Sequence, residues 1–210
     1  MSQIKRNSFF WASYTDLMTS LFFVMLVLYV LTFVLLKRQK DKVQLAADRY
    51  EEIQRVEKGV RELENTDYFE YQEQYKRLIL TKEVNFPRNK SEIPRDAETY
   101  LTKVGEEVRD VIAKNEQESD STKVRYLVII EGMASKDPKV KNLTDYNYEL
   151  SFQRAYSLYK FWKEERINFS LENTEFIIAG SGTGGVGRNE VDEKLNQRFL
   201  IQIIPKIRAR

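Results

Sequence analysis

The sequence predicts one N-terminal transmembrane helix, a helical connector and then an α+β domain, ordered β-α-β-α-β-β as a mixed sheet with helices on one face. Three observations predict it. Residues 9–36 form one long apolar run, and no residue from Leu17 to Leu36 is charged. The following stretch to about Leu80 is densely charged, lacks Pro and spaces its apolar residues helically. Beyond it, apolar runs alternate between strand and helix periods, which argues for a sheet covered by helices. The expected segments are an N-terminal tail at 1–8, a span at 9–38, a connector at 39–81 and a folded domain at 82–210.

The apolar run of roughly twenty residues, at about 1.5 Å each, matches a hydrocarbon core of about 30 Å. It exceeds the apolar core of a cleaved signal, and Lys37, Arg38 and Lys40 stand where small residues at a cleavage site would be. A retained anchor is the expectation. The span carries one acid, Asp16. A carboxylate at that depth costs several kcal/mol unless neutralised, paired or wetted, so it is a candidate proton carrier. An alternative reads Ser13-Tyr-Thr-Asp16 as a capping box at the helix start, with Trp11 and Tyr14 as interfacial aromatics. By position the two readings weigh evenly, and Phe9, Phe10 and Trp11 before the acid tip the balance towards the carrier.

The connector places Val43, Ala46, Tyr50 and Ile53 at helical spacing, and the pattern resumes at Val56, Val60 and Leu63. This suits a short two-stranded coiled coil or plug, or a solvated spacer without a partner. Gly59 and residues 64–67 are the expected breaks. In the domain, Val84-Asn-Phe86 reads as a short strand ending at Pro87. A helix follows from Arg95 to about Ala113, with Ala97, Leu101, Val104, Val108 and Val111 or Ile112 on one face. Residues 115–122 read as a loop and 123–130 as a central strand. A helix over 145–165 packs Leu150, Ala155, Leu158, Phe161 and Trp162, and strands follow at 175–179 and 199–204. Between them, Gly180-Ser-Gly182-Thr-Gly184-Gly185 matches GxGxxG after a strand, but no helix follows to receive a pyrophosphate, so it reads as a flexible connection.

Composition narrows the chemistry. The 210 residues hold 34 Lys and Arg against 32 Asp and Glu, and the net charge of +2 makes no electrostatic case for nucleic acid. There is no Cys and no His. Disulfides, Cys/His zinc sites and His-dependent nucleophiles are therefore excluded, and with no convergent acid pair an enzyme is the least expected class. No cofactor and no metal is expected.

The residues 10–30, FWASYTDLMTSLFFVMLVLYV, resemble the single membrane helix of MotB-type stator subunits: aromatics, then Tyr-x-Asp-Leu-Met-Thr, then an apolar run. From about 82 to 206 the chain resembles the OmpA-like peptidoglycan-binding domain. That resemblance is carried by Phe86-Pro87 with Ser91-Glu-Ile-Pro94, by Gly132, by Asn147-x-x-Leu150-Ser151-x-x-Arg154-Ala155, and by Asn196-Gln-Arg198. It implies that Asp16 binds the translocated ion, with Tyr14, Thr15, Thr19 and Ser20 beside its path. It also implies that Tyr146, Asn147, Leu150 and Arg154 contact peptidoglycan, a guanidinium suiting stem-peptide carboxylates. Where the family has His-Thr-Asp, this chain has Met133-Ala134-Ser135, which leaves Asp137 as the candidate acid. Without the motif, Arg154 reads as an ordinary helix-surface ion pair.

Within the MotB-like proteins, the compact size, early acid and charged connector are most similar to ZorB-type subunits of Zorya anti-phage defence systems. The resemblance implies a homodimer inside a pentameric, multi-spanning ZorA/MotA-like partner in the bacterial inner membrane. The N-terminus would be cytoplasmic and the domain periplasmic, bound to peptidoglycan. The positive-inside rule taken alone argues the reverse, because Lys37, Arg38, Lys40 and Lys42 follow the span. The alternatives are a flagellar MotB-type stator, a passive cell-wall tether, and an ExbD- or TolR-like transducer, against which the Asn147 to Arg154 run argues. H⁺ is the expected ion because a lone carboxylate in hydrocarbon binds it without further ligands; Na⁺ would need help from Thr15, Thr19 or Ser20.

Overall fold

The computed structural model describes residues 4–118, 124–136 and 144–207. The chain divides into two compact units, Met1–Glu51 and Glu52–Arg210.

The first unit is helix throughout its described length, part of α1 (Ile4–Glu62). With no charge between Leu17 and Leu36, this helix is long and apolar enough to cross a membrane. Its side chains from Leu17 to Leu36 are exposed. Val43, Tyr50 and Ile53 are exposed too, so the first half of the expected connector seam has no partner within the described residues.

The second unit begins with the last turns of α1. Here the apolar spacing serves the domain's own core: Val56, Val60 and Leu63 are each at most 4 % exposed. After a 3-10 turn at Leu63–Asn65 come β1 (Phe69–Gln72) and β2 (Arg77–Leu80), a hairpin turning at Glu73–Tyr75 with Lys76 at φ 48°. The expected helical connector to residue 81 is therefore wrong beyond Glu62. The Tyr-rich stretch hid a two-residue alternation, and β2 is buried on both faces, so its Leu-Ile-Leu run showed no period. Arg61 with Glu73 and Lys76 with Glu57 tie the hairpin turn to α1. Exposed and screened, these pairs place the turn rather than hold the fold.

α2 (Arg95–Glu118) continues past its expected end, so residues 115–118 are helical rather than loop. Asn115 is 4 % exposed and donates to the Val111 carbonyl at 2.9 Å. It packs on Gly59, where an added Cβ would lie 2.5 Å from its Nδ2. The rest of the expected loop lies outside the described residues. β3 (Val124–Gly132), α3 (Thr144–Glu164), β4 (Thr174–Gly180) and β5 (Phe199–Ile207) follow.

The sheet order is β1-β2-β5-β3-β4, parallel between β3 and β4 and antiparallel elsewhere. β2 fills the place expected for Val84–Phe86, where Val84 and Phe86 are buried but the backbone is unpaired in the sheet. A hairpin strand with four ladder partners satisfies backbone groups that a three-residue stretch ending at Pro87 does not. One face of the sheet carries the main core: Tyr126, Val128 and Ile130 of β3 are fully buried with Leu101, Val104, Val108 and Ile112 of α2 and Ala155, Leu158 and Trp162 of α3. Trp162 donates its indole N–H to the Leu101 carbonyl at 2.8 Å, so the largest core side chain leaves no donor orphaned. On the other face a small cluster of Ile79, Met133 and Leu200 lies buried.

A fragment beginning at Glu52 is accordingly expected to fold cooperatively, and one beginning at Lys82 to fail, because the latter lacks two strands and the buried end of α1. In the fragment from Glu52, Val60→Ala should cost about 2 kcal/mol through lost methyls and the cavity left behind, while a change at exposed Leu171 to Ala costs little. Urea melts followed by circular dichroism check both.

Candidate functional site

In α1, Asp16 is exposed and makes no ion pair or hydrogen bond within the described residues. The helix begins well before Ser13, so the capping-box reading fails: residues 13–16 are helix interior with no free amides to cap. Tyr14 meets Trp11 edge-on at 6.4 Å. Thr15 donates to the Trp11 carbonyl at 2.8 Å, Thr19 to the Thr15 carbonyl and Ser20 to the Leu17 carbonyl at 2.9 Å. All three hydroxyl protons are spent on the helix backbone.

In the second unit the candidate residues meet where β3 and β4 end against α3. Gly132 and Gly180 pair in the parallel register, and both are crowded by the helix. A Cβ on Gly132 would stand 2.1 Å from the Ser151 carbonyl oxygen, and one on Gly180 would stand 2.4 Å from the Phe152 nitrogen. Only glycine lets the helix backbone come this close. Ser151, fully buried, accepts the Gly182 N–H at 2.9 Å and donates to the Tyr148 carbonyl. Leu150 and Asn147 are half-buried, and Tyr146 is exposed.

Arg154 is 4 % exposed, so it is not the surface ion pair that its helical position suggested. Its Nε donates to the Lys90 carbonyl at 3.2 Å and its guanidinium lies over the Phe86 ring at 4.5 Å. Phe86 in turn packs edge-on against Phe199. No carboxylate among the described residues pairs with Arg154. Burial lowers its pKa to about 10, with Tyr146 opposing, so it stays charged at neutral pH without an anion.

The positions where the resemblance expects an acid contribute none. Met133 and Ala134 are 1 % exposed, and Ser135 accepts from Gln197 Nε2 at 2.9 Å. Asp137 lies outside the described residues.

Sequence reasoning missed the loop joining β4 to β5, which is held rather than flexible. Arg77 donates to the Val186 carbonyl, Arg198 to the Gly187 carbonyl and Arg188 to the Ala134 carbonyl. Asn196, fully buried, exchanges hydrogen bonds of 2.8 Å with the Asn189 backbone. Glu193 accepts from Arg188 and from the Lys136 amide. The signal available in the sequence was the excess of Arg and Asn around the glycines. The segment ends in a short 3-10 turn at Glu193–Asn196, so it lacks the α-helix that a dinucleotide site needs.

No protein-family model matches the chain, and no curated protein matches it. Among solved structures it is similar to the C-terminal domain of Helicobacter pylori MotB, with 18 % identity, TM-score 0.37, and 61 % of this chain and 87 % of that one covered. It is also similar to the OmpA-like domain of FopA1 from Francisella tularensis, with 16 % identity, TM-score 0.39 and coverages of 69 % and 86 %. A third is the peptidoglycan-associated lipoprotein of Burkholderia pseudomallei, with 14 % identity, TM-score 0.34 and coverages of 60 % and 92 %.

Arg154→Met is expected to leave the thermal midpoint unchanged or up to about 4 °C higher, because a buried charge without an anion is exchanged for apolar volume. A drop of several degrees would make Arg154 a structural group. At Glu193 burial raises the carboxyl pKa, but the Lys136 amide, Arg188 and Asn196 together outweigh it and hold it below the ordinary range. Its contribution is present above the unfolded value of about 4.3 and is lost as pH falls through the lowered folded value. Hydrogen-exchange protection at residues 182–196, measured against the intrinsic rate at each pH, should therefore fall as pH drops below about 4 before that of the strands does.

Proposed function

We propose that this chain is a peptidoglycan-anchored, stator-type subunit of a proton-driven complex in the bacterial inner membrane, of the ZorB kind found in Zorya defence systems. The observation that carries the anchoring half is Arg154: a guanidinium kept dry, stacked on Phe86 and met by no carboxylate among the described residues suits a ligand that brings its own. Stem-peptide carboxylates are such a ligand. Tyr146 and Asn147 stand about two turns earlier on α3 to line the approach, and Asp137, two residues past the position where the resemblance expects the acid, is the candidate to take an amine.

The motor half rests on Asp16 in the apolar stretch of α1. With Thr15, Thr19 and Ser20 committed to the backbone, a proton is a better cargo than Na⁺, which needs several oxygens at once. In this reading two copies stand inside a pentameric, multi-spanning partner. Asp16 takes a proton from the periplasmic side, crosses apolar wall as the neutral acid and releases the proton inward. Each transfer changes its bonding to the partner and turns the ring by a step. The membrane potential supplies about 2.3 kcal/mol per charge per 100 mV. The N-terminus lies in the cytoplasm and the domain in the periplasm, where the wall is. A passive tether is the second reading, favoured by the lack of any ion-ligating cluster around Asp16 among the described residues.

Asp16→Asn keeps size and polarity but cannot titrate. It is expected to abolish proton flux in cells while leaving sacculus binding intact, and full flux in that variant would reduce the protein to a tether. Arg154→Ala should do the opposite, lowering sacculus pull-down at least about tenfold, the effect of losing about 1.4 kcal/mol of contact.

A further inference from the structure

The two edges of the sheet differ. β1 is four residues long, and the end of α1 lies beside it, with the Arg61 guanidinium over the Tyr71 ring at 5.2 Å. β4 runs for seven residues and pairs with β3 alone, so the backbone groups on its outer side have no partner in the sheet. Soluble proteins blunt such an edge with a Pro, a bulge or an outward charge. β4, Thr174-Glu-Phe-Ile-Ile-Ala-Gly180, has no Pro, and its register with β3 is unbroken. Its one charged side chain, Glu175, is drawn back across β3 by Lys206 of β5 at 3.3 Å, away from the open side.

What remains at this edge is apolar. Ile177, the middle residue of β4, is 42 % exposed on the sheet face away from the helices. On the helix face Phe176 meets Tyr159 at 5.3 Å, Tyr159 stacks on Tyr156, and Tyr156 stacks on Phe152. Phe152 and Tyr156 are exposed, so an aromatic row leads from β4 out over the open side of α3. A row of unpaired amides and carbonyls between apolar side chains accepts an extended strand.

We propose that β4 pairs antiparallel with β4 of a second copy, about a two-fold axis through Ile177, joining two five-stranded sheets into one of ten strands. Residues directly opposite in antiparallel strands share a face, so an axis normal to the sheet passes through a residue and not between two. An axis at Ile177 leaves all seven positions of β4 paired. It sets Ile177 against Ile177, Phe176 against Ile178 and Glu175 against Ala179, so the two carboxylates never face each other as they would with the axis at Glu175. The proposal rests on the two-copy arrangement given above for the number of copies; the register comes from this strand alone.

The sequence has no Cys, so introduced cysteines report the seam directly. In membranes of cells carrying the full chain, mild oxidation of the Ile177→Cys variant is expected to link two copies. Opposed Cα atoms stand about 4.5–5.5 Å apart there, and a disulfide spans about 4.4–6.8 Å. Glu175→Cys alone should give no link, because its two copies lie about 14 Å apart along the strands. Co-expressed with Ala179→Cys, it should give one. Ile177→Lys opposes two like charges at the axis and should lower that mixed link at least about tenfold. Ile177 is exposed, and an unchanged thermal midpoint confirms that its variants are folded. The mass of the purified assembly gives the copy number. Two copies without the Ile177→Cys link, or equal linking by Glu175→Cys alone, overturns the seam and leaves the two-copy reading standing. A single copy overturns both. A link from Ile177→Cys to a different protein gives the edge to a foreign strand and overturns the proposal.

Discussion

The contact of α3 with the ends of β3 and β4 is the constraint on which the domain depends. Because Gly132 and Gly180 stand side by side and neither has a side chain, the backbone at Ser151 and Phe152 lies against the strands instead of a side-chain layer above them. Ser151 can then receive the Gly182 amide, which starts the β4–β5 loop in its course. Three residues further on, Arg154 is carried below the surface onto Phe86. A larger residue at either glycine would lift the helix, and both the loop and the guanidinium would lose their places.

Arg154 is a charge held where water is scarce. It is buried and stays ionised at neutral pH, and among the described residues it meets a carbonyl and a ring but no carboxylate. That costs free energy which an apolar residue would not. Asp16 poses the same question in an apolar helix, where a carboxylate is tolerated if it is protonated or met by a partner. The β4–β5 loop shows the opposite arrangement. Arg77 of β2, with Arg188 and Arg198 of the loop, is spent on the carbonyls of Val186, Ala134 and Gly187, and together they hold the glycine-rich segment in place.

Periodicity was legible wherever an element has one wet face. The face of α2 was read correctly, and the structure chooses Ile112 over Val111 for its last position. The four core residues of α3 from Ala155 to Trp162 are buried as expected, and β3, β4 and β5 fall within a few residues of their expected bounds. Where both faces are covered the period vanishes, so β2 passed for connector. Where one helix changes role along its length the period misleads: Val43 and Val56 belong to one helical pattern, yet the first is exposed and the second is core.

By itself the sequence determined that an uncharged run long enough to span a membrane follows a single acid, Asp16, that thiol and imidazole chemistry are absent, and that an α+β domain follows. These are properties of composition and local period, which need no knowledge of what folds against what. Only the tertiary structure decided that Arg154 is dry and meets no carboxylate among the described residues, that the hairpin at 69–80 belongs to the sheet, and that the glycine-rich segment is held by arginines from β2 and from its own far end. Each of these depends on partners far away in the chain, such as Lys90 for Arg154, Ile201 for Leu78 and Arg77 for Val186. Burial and pairing between distant residues are set by the packing of whole elements, and no local pattern records them.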